Sequence, residues 1–190
     1  MKSFSSKKGT VFIVSAPSGA GKTTIVERYL KLHPNTAQKS ISCTTRPPRV
    51  GEVDGKDYFF ITEEQFTHKL QQEAFLEHAE VFGYHYGTLK KSVSDVTQAG
   101  KDIFLVIDTQ GALLLKNKLE AFFVFIMPPS IDALEQRLIH RKTEKASERD
   151  LRLSRAKDEM KKAEFYDKII INDDLNQAYK EFEEFVSSKN

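Results

Sequence analysis

The sequence is poor in cysteine. Cys43 is the only one, so no disulfide can close within the chain, and a reducing compartment, the cytoplasm, is the expected setting. A small, half-buried side chain is the expected role for that thiol, rather than a nucleophile. Long hydrophobic runs are also missing: the longest, Ala121 to Met127, is too short to span a bilayer. The polar, basic stretch from Met1 to Gly9 lacks the apolar core of a signal peptide. The histidines at 33, 68, 78, 85 and 140 show no zinc-ligand spacing and have no cysteine partners. A formal net charge of +2 gives no general attraction to nucleic acid or membrane surfaces, and no repeat or low-complexity segment is present.

What is present is ordinary for a globular protein: 190 residues, 39% apolar and 29% charged, enough for one compact α/β core with a modest insertion and too few for two large domains. The charge is unevenly placed. From Arg137 to Lys162 ten Lys and Arg stand against five Asp and Glu, a local net of +5; from Ala163 to Asn190 three stand against seven, a local net of −4. Solvated helix faces would account for both blocks unless a polyanion site lies nearby.

Apolar strands alternate with helices along most of the chain. Thr10 to Ser15 is a β-branched run ending in a glycine-rich turn, and Lys22 to Leu32 follows with helical spacing at Ile25, Val26, Tyr29 and Leu30. Lys101 to Asp108, Phe122 to Met127 and Asp167 to Asn172 read as further strands, and a fifth is expected near Lys39 to Ser42. Helices are expected over Gln110 to Lys118, from an N-cap at Ser130 to about His140, and from about Asp174 to Val186. This rhythm predicts a five-stranded parallel sheet flanked by helices, and the glycine-rich turn Ala16 to Thr23 after its first strand makes that sheet one of the phosphate-loop NTPase type. It breaks between Cys43 and Thr88, where short aromatic strands (Tyr58 to Ile61, Phe75 to Glu80) surround a helix opening at Thr62 with a capping-box pattern. A small lobe inserted at the carboxyl edge of the sheet fits that stretch, because ligands bind at that edge in open α/β folds.

Ala16-Pro17-Ser18-Gly19-Ala20-Gly21-Lys22-Thr23 fits the phosphate-loop pattern, except that Ala16 stands at the first glycine position. Glycine is needed where backbone N–H groups curl round phosphate oxygens, and Gly19 and Gly21 supply it. Lys22 would reach the β- and γ-phosphates of a nucleoside triphosphate, and the Thr23 hydroxyl would coordinate Mg²⁺, with Thr24 next in the helix. A second phosphate grip is offered by Arg46 and Arg49, held apart by two stiff prolines, since each guanidinium presents a planar fork of donors. Read alone, this pair could equally be a solvated basic loop.

The phosphate loop, the stretch SCTTRPPRVGEVDGKDYFF from Ser42 to Phe60, FGYHYGT from Phe82, IDTQGA from Ile107 and IINDDL from Ile170 resemble guanylate kinases in the right order, over about Thr10 to Phe185. The resemblance implies that Arg46, Arg49, Tyr58 and Tyr86 bind the phosphate of GMP, and that Ser42, Glu77, Thr88 and Asp108 surround guanine. The chemistry agrees: guanine offers N1–H and N2–H donors to a carboxylate and an O6 acceptor to hydroxyls, whereas AMP would leave a buried carboxylate unpaired. Tyr58 and Tyr86 could instead be strand-packing aromatics. Glu77 could be an exposed strand carboxylate, and Asp108 could be the acidic magnesium position that ends an apolar strand.

The basic block then resembles the family's lid, in which Arg137, Arg141 and Arg152 would meet the transferring phosphoryl group; Arg149 and Arg155 could be surface residues. Asn172 resembles a position near the adenine of ATP. The resemblance implies a core over about 10–41, 89–136 and 163–190, a GMP-binding lobe over about 42–88 and a lid over about 137–162. The expected activity is phosphoryl transfer from Mg-ATP to GMP, and to dGMP, by a monomer or homodimer. Two more departures from the family pattern accompany Ala16: Val106 stands where an acidic residue is common, and Lys142 follows Arg141 where glycine is usual. The rival reading is a catalytically inactive guanylate-kinase-like binding module. Retention of Lys22, Thr23, Arg46 and Arg49, in a chain expected to have no room for partner domains, argues against it.

Overall fold

The computed structural model of the chain describes residues 8–140 and 146–189, with the backbone alone at 140 and 146–150. The strands are β1 (Val11–Ser15), β2 (Ala37–Lys39), β3 (Cys43–Thr44), β4 (Phe59–Phe60), β5 (Phe75–Val81), β6 (Tyr84–Leu89), β7 (Asp102–Val106), β8 (Phe122–Met127) and β9 (Lys168–Ile171). The helices are α1 (Lys22–Leu32), α2 (Glu63–Gln71), α3 (Lys90–Gln98), α4 (Thr109–Leu115), α5 (Ile131–His140), α6 (Ala146–Lys161) and α7 (Leu175–Ser187), with a 3-10 turn at Lys162–Phe165.

Five strands form a parallel sheet in the order β2-β7-β1-β8-β9. Its central strands are apolar at nearly every position because both faces are covered, and their pleat sends alternate residues to opposite sides. Phe12, Val14, Phe104, Val124 and Ile126 pack with α1 and α7 on one face. Val11, Ile13, Ile103, Leu105 and Phe125 pack with α3 and α4 on the other. β1 lies between β7 and β8, so the chain reverses direction across the sheet at the carboxyl end of β1, where open α/β sheets bind ligands.

The second sheet, β4-β3-β6-β5, is mixed: β3 runs parallel to β4 and antiparallel to β6, which pairs antiparallel with β5. Helix α2 covers it, with Phe66 stacked on Phe75 at 4.5 Å between ring centres. The Thr62 hydroxyl accepts from the Gln65 backbone N–H while the Gln65 side chain accepts from the Thr62 N–H, so the expected capping box is present. Among the described residues no helix is long and apolar enough to cross a membrane.

Several boundaries differ from the sequence reading. The strand expected near Lys39 to Ser42 pairs earlier, at Ala37–Lys39 against Asp102–Phe104, and the chain leaves the sheet after Ser40 donates to Phe104. The helix expected to reach Lys118 ends at Leu115, because Lys116 turns to extended backbone and Asn117 takes a positive φ. Strand β6 and helix α3 were not anticipated. Cys43 is wholly buried (1% exposed), not half-buried, and burial pushes its thiol up to about 11, so it stays protonated.

Candidate active site

The loop between β1 and α1 turns on two residues that a side chain would obstruct. Gly19 and Gly21 have φ of 91° and 94°, and a Cβ on Gly21 would run into the Asn172 amide. Asn172 donates from Nδ2 to the Ala20 carbonyl at 2.7 Å, while Arg137 donates to the Asn172 carbonyl at 2.8 Å, so the end of β9 and α5 hold the loop from behind. Helix α1 starts at Lys22 with no side-chain cap and no acidic residue in its first turn. Its leading N–H groups and positive dipole end are therefore left for an anion. Lys22 crosses the loop and donates to the Ile107 carbonyl at 3.1 Å. Burial lowers the pKa of its ammonium, and the charges of Asp108 and Glu159 oppose that shift.

The second sheet supplies the opposite wall. Arg46 is buried and multiply held: Nε donates to the Tyr86 hydroxyl at 3.2 Å, one guanidinium nitrogen to Pro47 O at 2.6 Å and the other to Glu52 Oε1 at 2.9 Å. Its guanidinium also lies 5.5 Å from the Tyr58 ring centre, and Tyr58 meets Tyr86 edge-on. Glu52 accepts from the Arg49 backbone N–H through its other oxygen at 2.7 Å, which fixes the loop carrying both arginines and leaves the Arg49 side chain exposed. Burial works against the ionised form of Glu52, but the hydrogen bonds from Arg46 and from Arg49 outweigh it and hold its carboxyl below the usual range.

Glu77 is 6% exposed and sits opposite Thr88 across the β5–β6 ladder. Burial pushes its carboxyl up to about 6; hydrogen bonds from Thr88 pull the other way, and the Asp108 charge adds to the rise. Ser42 Oγ and Thr88 Oγ1 lie 3.4 Å apart beside it. Asp108 caps α4, its Oδ1 accepting from the Gly111 N–H at 2.8 Å. At Gly111 α4 approaches β5 closely: a Cβ there would lie 2.6 Å from Glu77 Oε2.

These groups share one cavity of about 310 Å³. It brings together Ala16, Pro17, Ser18, Gly19, Lys22 and Thr23 of the loop with Ser42, Arg46, Arg49, Tyr58, Glu77, Tyr86 and Asp108, and adds Arg152 from α6. Arg152 donates to Ser18 Oγ at 2.9 Å. Ala20 and Thr88 are fully buried behind the lining, Gly21 and Thr24 lie at the start of α1 outside it, and Asn172 and Arg137 support it from beneath. Arg141 lies outside the described residues, as does the side chain of Arg149. The sequence reading missed Glu52, Phe82 and Glu159. Glu52 was legible as the acid following the paired arginines, whereas Glu159 sits inside a basic block with no motif to mark it. Burial pushes the Glu159 carboxyl up to about 7, Lys22 opposes this and Asp108 adds to it, so this acid on α6 faces the same cavity as the loop lysine.

A fold, a loop and a second anion grip of this kind have close counterparts. A family model described as guanylate kinase matches residues 8–189. A guanylate kinase of Protochlamydia amoebophila is 51% identical over 173 residues, covering 91% of this chain and 87% of the relative. One from Thermotoga maritima is 45% identical over 172 residues, covering 90% and 83%. The crystal structure of guanylate kinase from Anaplasma phagocytophilum superposes with a TM-score of 0.77 at 31% identity, covering 96% of this chain and 87% of that one. The chain belongs to the guanylate kinase family.

Proposed function

We propose that this protein transfers the γ-phosphoryl group of Mg-ATP to GMP, and to dGMP, giving ADP and GDP. The observation that carries this reading is the single cavity with a phosphate loop at one end and, at the other, a fixed arginine beside a buried carboxylate. In this reading residues 10–41, 89–136 and 163–190 form the catalytic core, 42–88 the acceptor lobe and 137–162 the lid. The backbone of 16–21, Lys22 and the start of α1 at Thr23 and Thr24 hold the phosphates of ATP. Asn172 serves the donor site by bracing the loop. Arg46, Arg49, Tyr58 and Tyr86 hold the GMP phosphate, while Ser42, Glu77, Thr88 and Asp108 read guanine. Arg137, Arg141 and Arg152 belong to the donor side.

A divalent ion fits this chemistry. Among the described residues no three His, Cys, Asp or Glu side chains cluster to form a metal cage. The hydroxyl oxygens that the loop brings to the cavity are those of Ser18, which accepts from Arg152, and of Thr23. That sparse set suits Mg²⁺, which keeps waters and shares nucleotide phosphates rather than filling a protein cage. When bound, Mg²⁺ would neutralise charge on the β- and γ-phosphate oxygens. The residues do the rest by positioning. The GMP phosphate, already largely dianionic near neutral pH, attacks the γ-phosphorus in line, so no general base is needed. Lys22 and Arg152 stabilise charge on the moving group. Closure over the cavity excludes water, which would otherwise take the phosphoryl group. We place this activity in the cytoplasm, in purine nucleotide metabolism.

The test is ADP formation by purified protein with Mg-ATP, with and without GMP. GMP-dependent ADP and GDP in equal amounts, lost on chelation and reduced about 10²–10³-fold in kcat by Lys22→Ala, are expected. Binding of GMP without turnover would favour the inactive module instead.

A further inference from the structure

The hairpin joining β5 to β6 breaks a local rule. Val81 pairs with Tyr84, leaving Phe82 and Gly83 as a two-residue turn with φ of 54° and 78°. Two positive φ values are the mark of a type I′ turn, whose first position favours Asn, Asp or Gly, and a bulky aromatic there is strained. The residue is also 45% exposed, so burial does not compensate. What it touches lies on another element. The Arg155 guanidinium sits 4.1 Å from its centre and that of Arg152 5.7 Å, both within cation–π reach. Arg152 in turn donates to Ser18 in the phosphate loop. Val81, Phe82 and Arg152 line both the main cavity and an adjoining one of about 260 Å³, so this contact forms the wall between them.

We propose that Phe82 is a positioning residue that couples the acceptor lobe to the lid: its ring holds Arg152 and Arg155 on the donor side, and GMP bound to the strands that carry the ring strengthens that hold. The hairpin is built on the strands that carry Glu77, Tyr86 and Thr88, so a lobe set by GMP sets the ring as well. Acceptor binding thereby steadies the arginine that already reaches the phosphate loop, and the donor site is tightened when an acceptor is present. The proposal rests on Arg152 acting at the transferred phosphoryl group. A strained aromatic at the tip of an otherwise ordinary turn is what such a link requires, since Asn would serve the turn but could not hold two guanidinium groups.

The test compares the wild type with Phe82→Asn, Phe82→Tyr and Arg152→Met. Steady-state kinetics would be measured together with the affinity of an ATP analogue bearing a non-cleavable β,γ-bridge, with and without saturating GMP. Phe82→Asn suits the turn and should unfold at or above the wild-type temperature. Its KM for GMP should stay within about twofold, while kcat and the GMP-driven gain in analogue affinity each fall about fivefold, the scale of one such contact. Phe82→Tyr keeps the ring and should restore both. Wild-type kcat and coupling in Phe82→Asn, or an equal defect in Phe82→Tyr, would overturn the proposal. If Arg152→Met loses activity while Phe82→Asn does not, the link fails and the role of Arg152 stands. If Arg152→Met retains wild-type kcat, both fail together.

Discussion

At Glu77 the protein holds a carboxylate where water would suit it better. Its carboxyl is pushed up to about 6 from 4.5 by burial, against the hydrogen bonds of Thr88 and with the Asp108 charge adding to the rise. The folded state therefore binds the proton more tightly than the unfolded chain, and the wild type loses stability as pH rises from about 4.5 to 6. Glutamine cannot ionise. Thermal unfolding of Glu77→Gln should show a stability gap in its favour that opens over that window by about 2 kcal/mol, from ~1.4 kcal/mol per pKa unit. A gap that stays constant or closes would mean that Glu77 is not held against its own ionisation. The same variant should lose about 10- to 100-fold in kcat/KM for GMP at pH 7.5, since it gives up a charged acceptor for the guanine donors. Retained kcat/KM would remove Glu77 from the base site. Stability given up at a proposed base site is the pattern expected where function, not packing, selects the residue.

At the scale of elements, the start of α4 joins the proposed base site to packing. Asp108 caps the helix, and the absent side chain of Gly111 leaves room for the Glu77 carboxylate. Gly111→Ala should gain about 0.5–1 kcal/mol from helix propensity, or at least lose nothing, while its Cβ displaces that carboxylate. The expected outcome is an unfolding temperature at or above wild type with KM for GMP raised about tenfold; an unchanged KM would separate Gly111 from the site. Other elements show what a sequence can and cannot disclose. Helix α1 and strand β8 match their expected bounds, because a glycine turn and the Pro128–Pro129 pair mark where they begin or stop. β6 and α3 escaped, since Gly87 interrupts YHYGTL and only two valines mark KKSVSDVTQ; the first owes its form to pairing with β5 and the second to the sheet it covers. The phosphate loop was legible because its chemistry is contiguous in the chain. Glu52, Glu159 and Phe82 gain their meaning only across space, the first by bridging Arg46 to the Arg49 backbone, the second by meeting Lys22 in the cavity, and the third by meeting α6.

At the scale of the whole molecule, two sheets of different design face one another across a single cavity. The parallel sheet presents backbone N–H groups, a lysine and a helix end, all suited to triphosphate. The mixed sheet presents an arginine fixed by a carboxylate, two tyrosines and a buried acid, suited to a purine monophosphate with ring donors. The proposed transfer needs both halves, so the account stands or falls on acceptor selectivity. The most direct test is kcat/KM for GMP, IMP and AMP with Mg-ATP under one set of conditions. IMP lacks the 2-amino group, and AMP lacks both that group and the N1 proton. The account predicts GMP ahead of IMP by about 10- to 100-fold and ahead of AMP by about 10⁴-fold, the penalty for leaving buried polar groups unpaired. Turnover of AMP within about tenfold of GMP would contradict it, because Glu77 and Asp108 would then not be reading guanine.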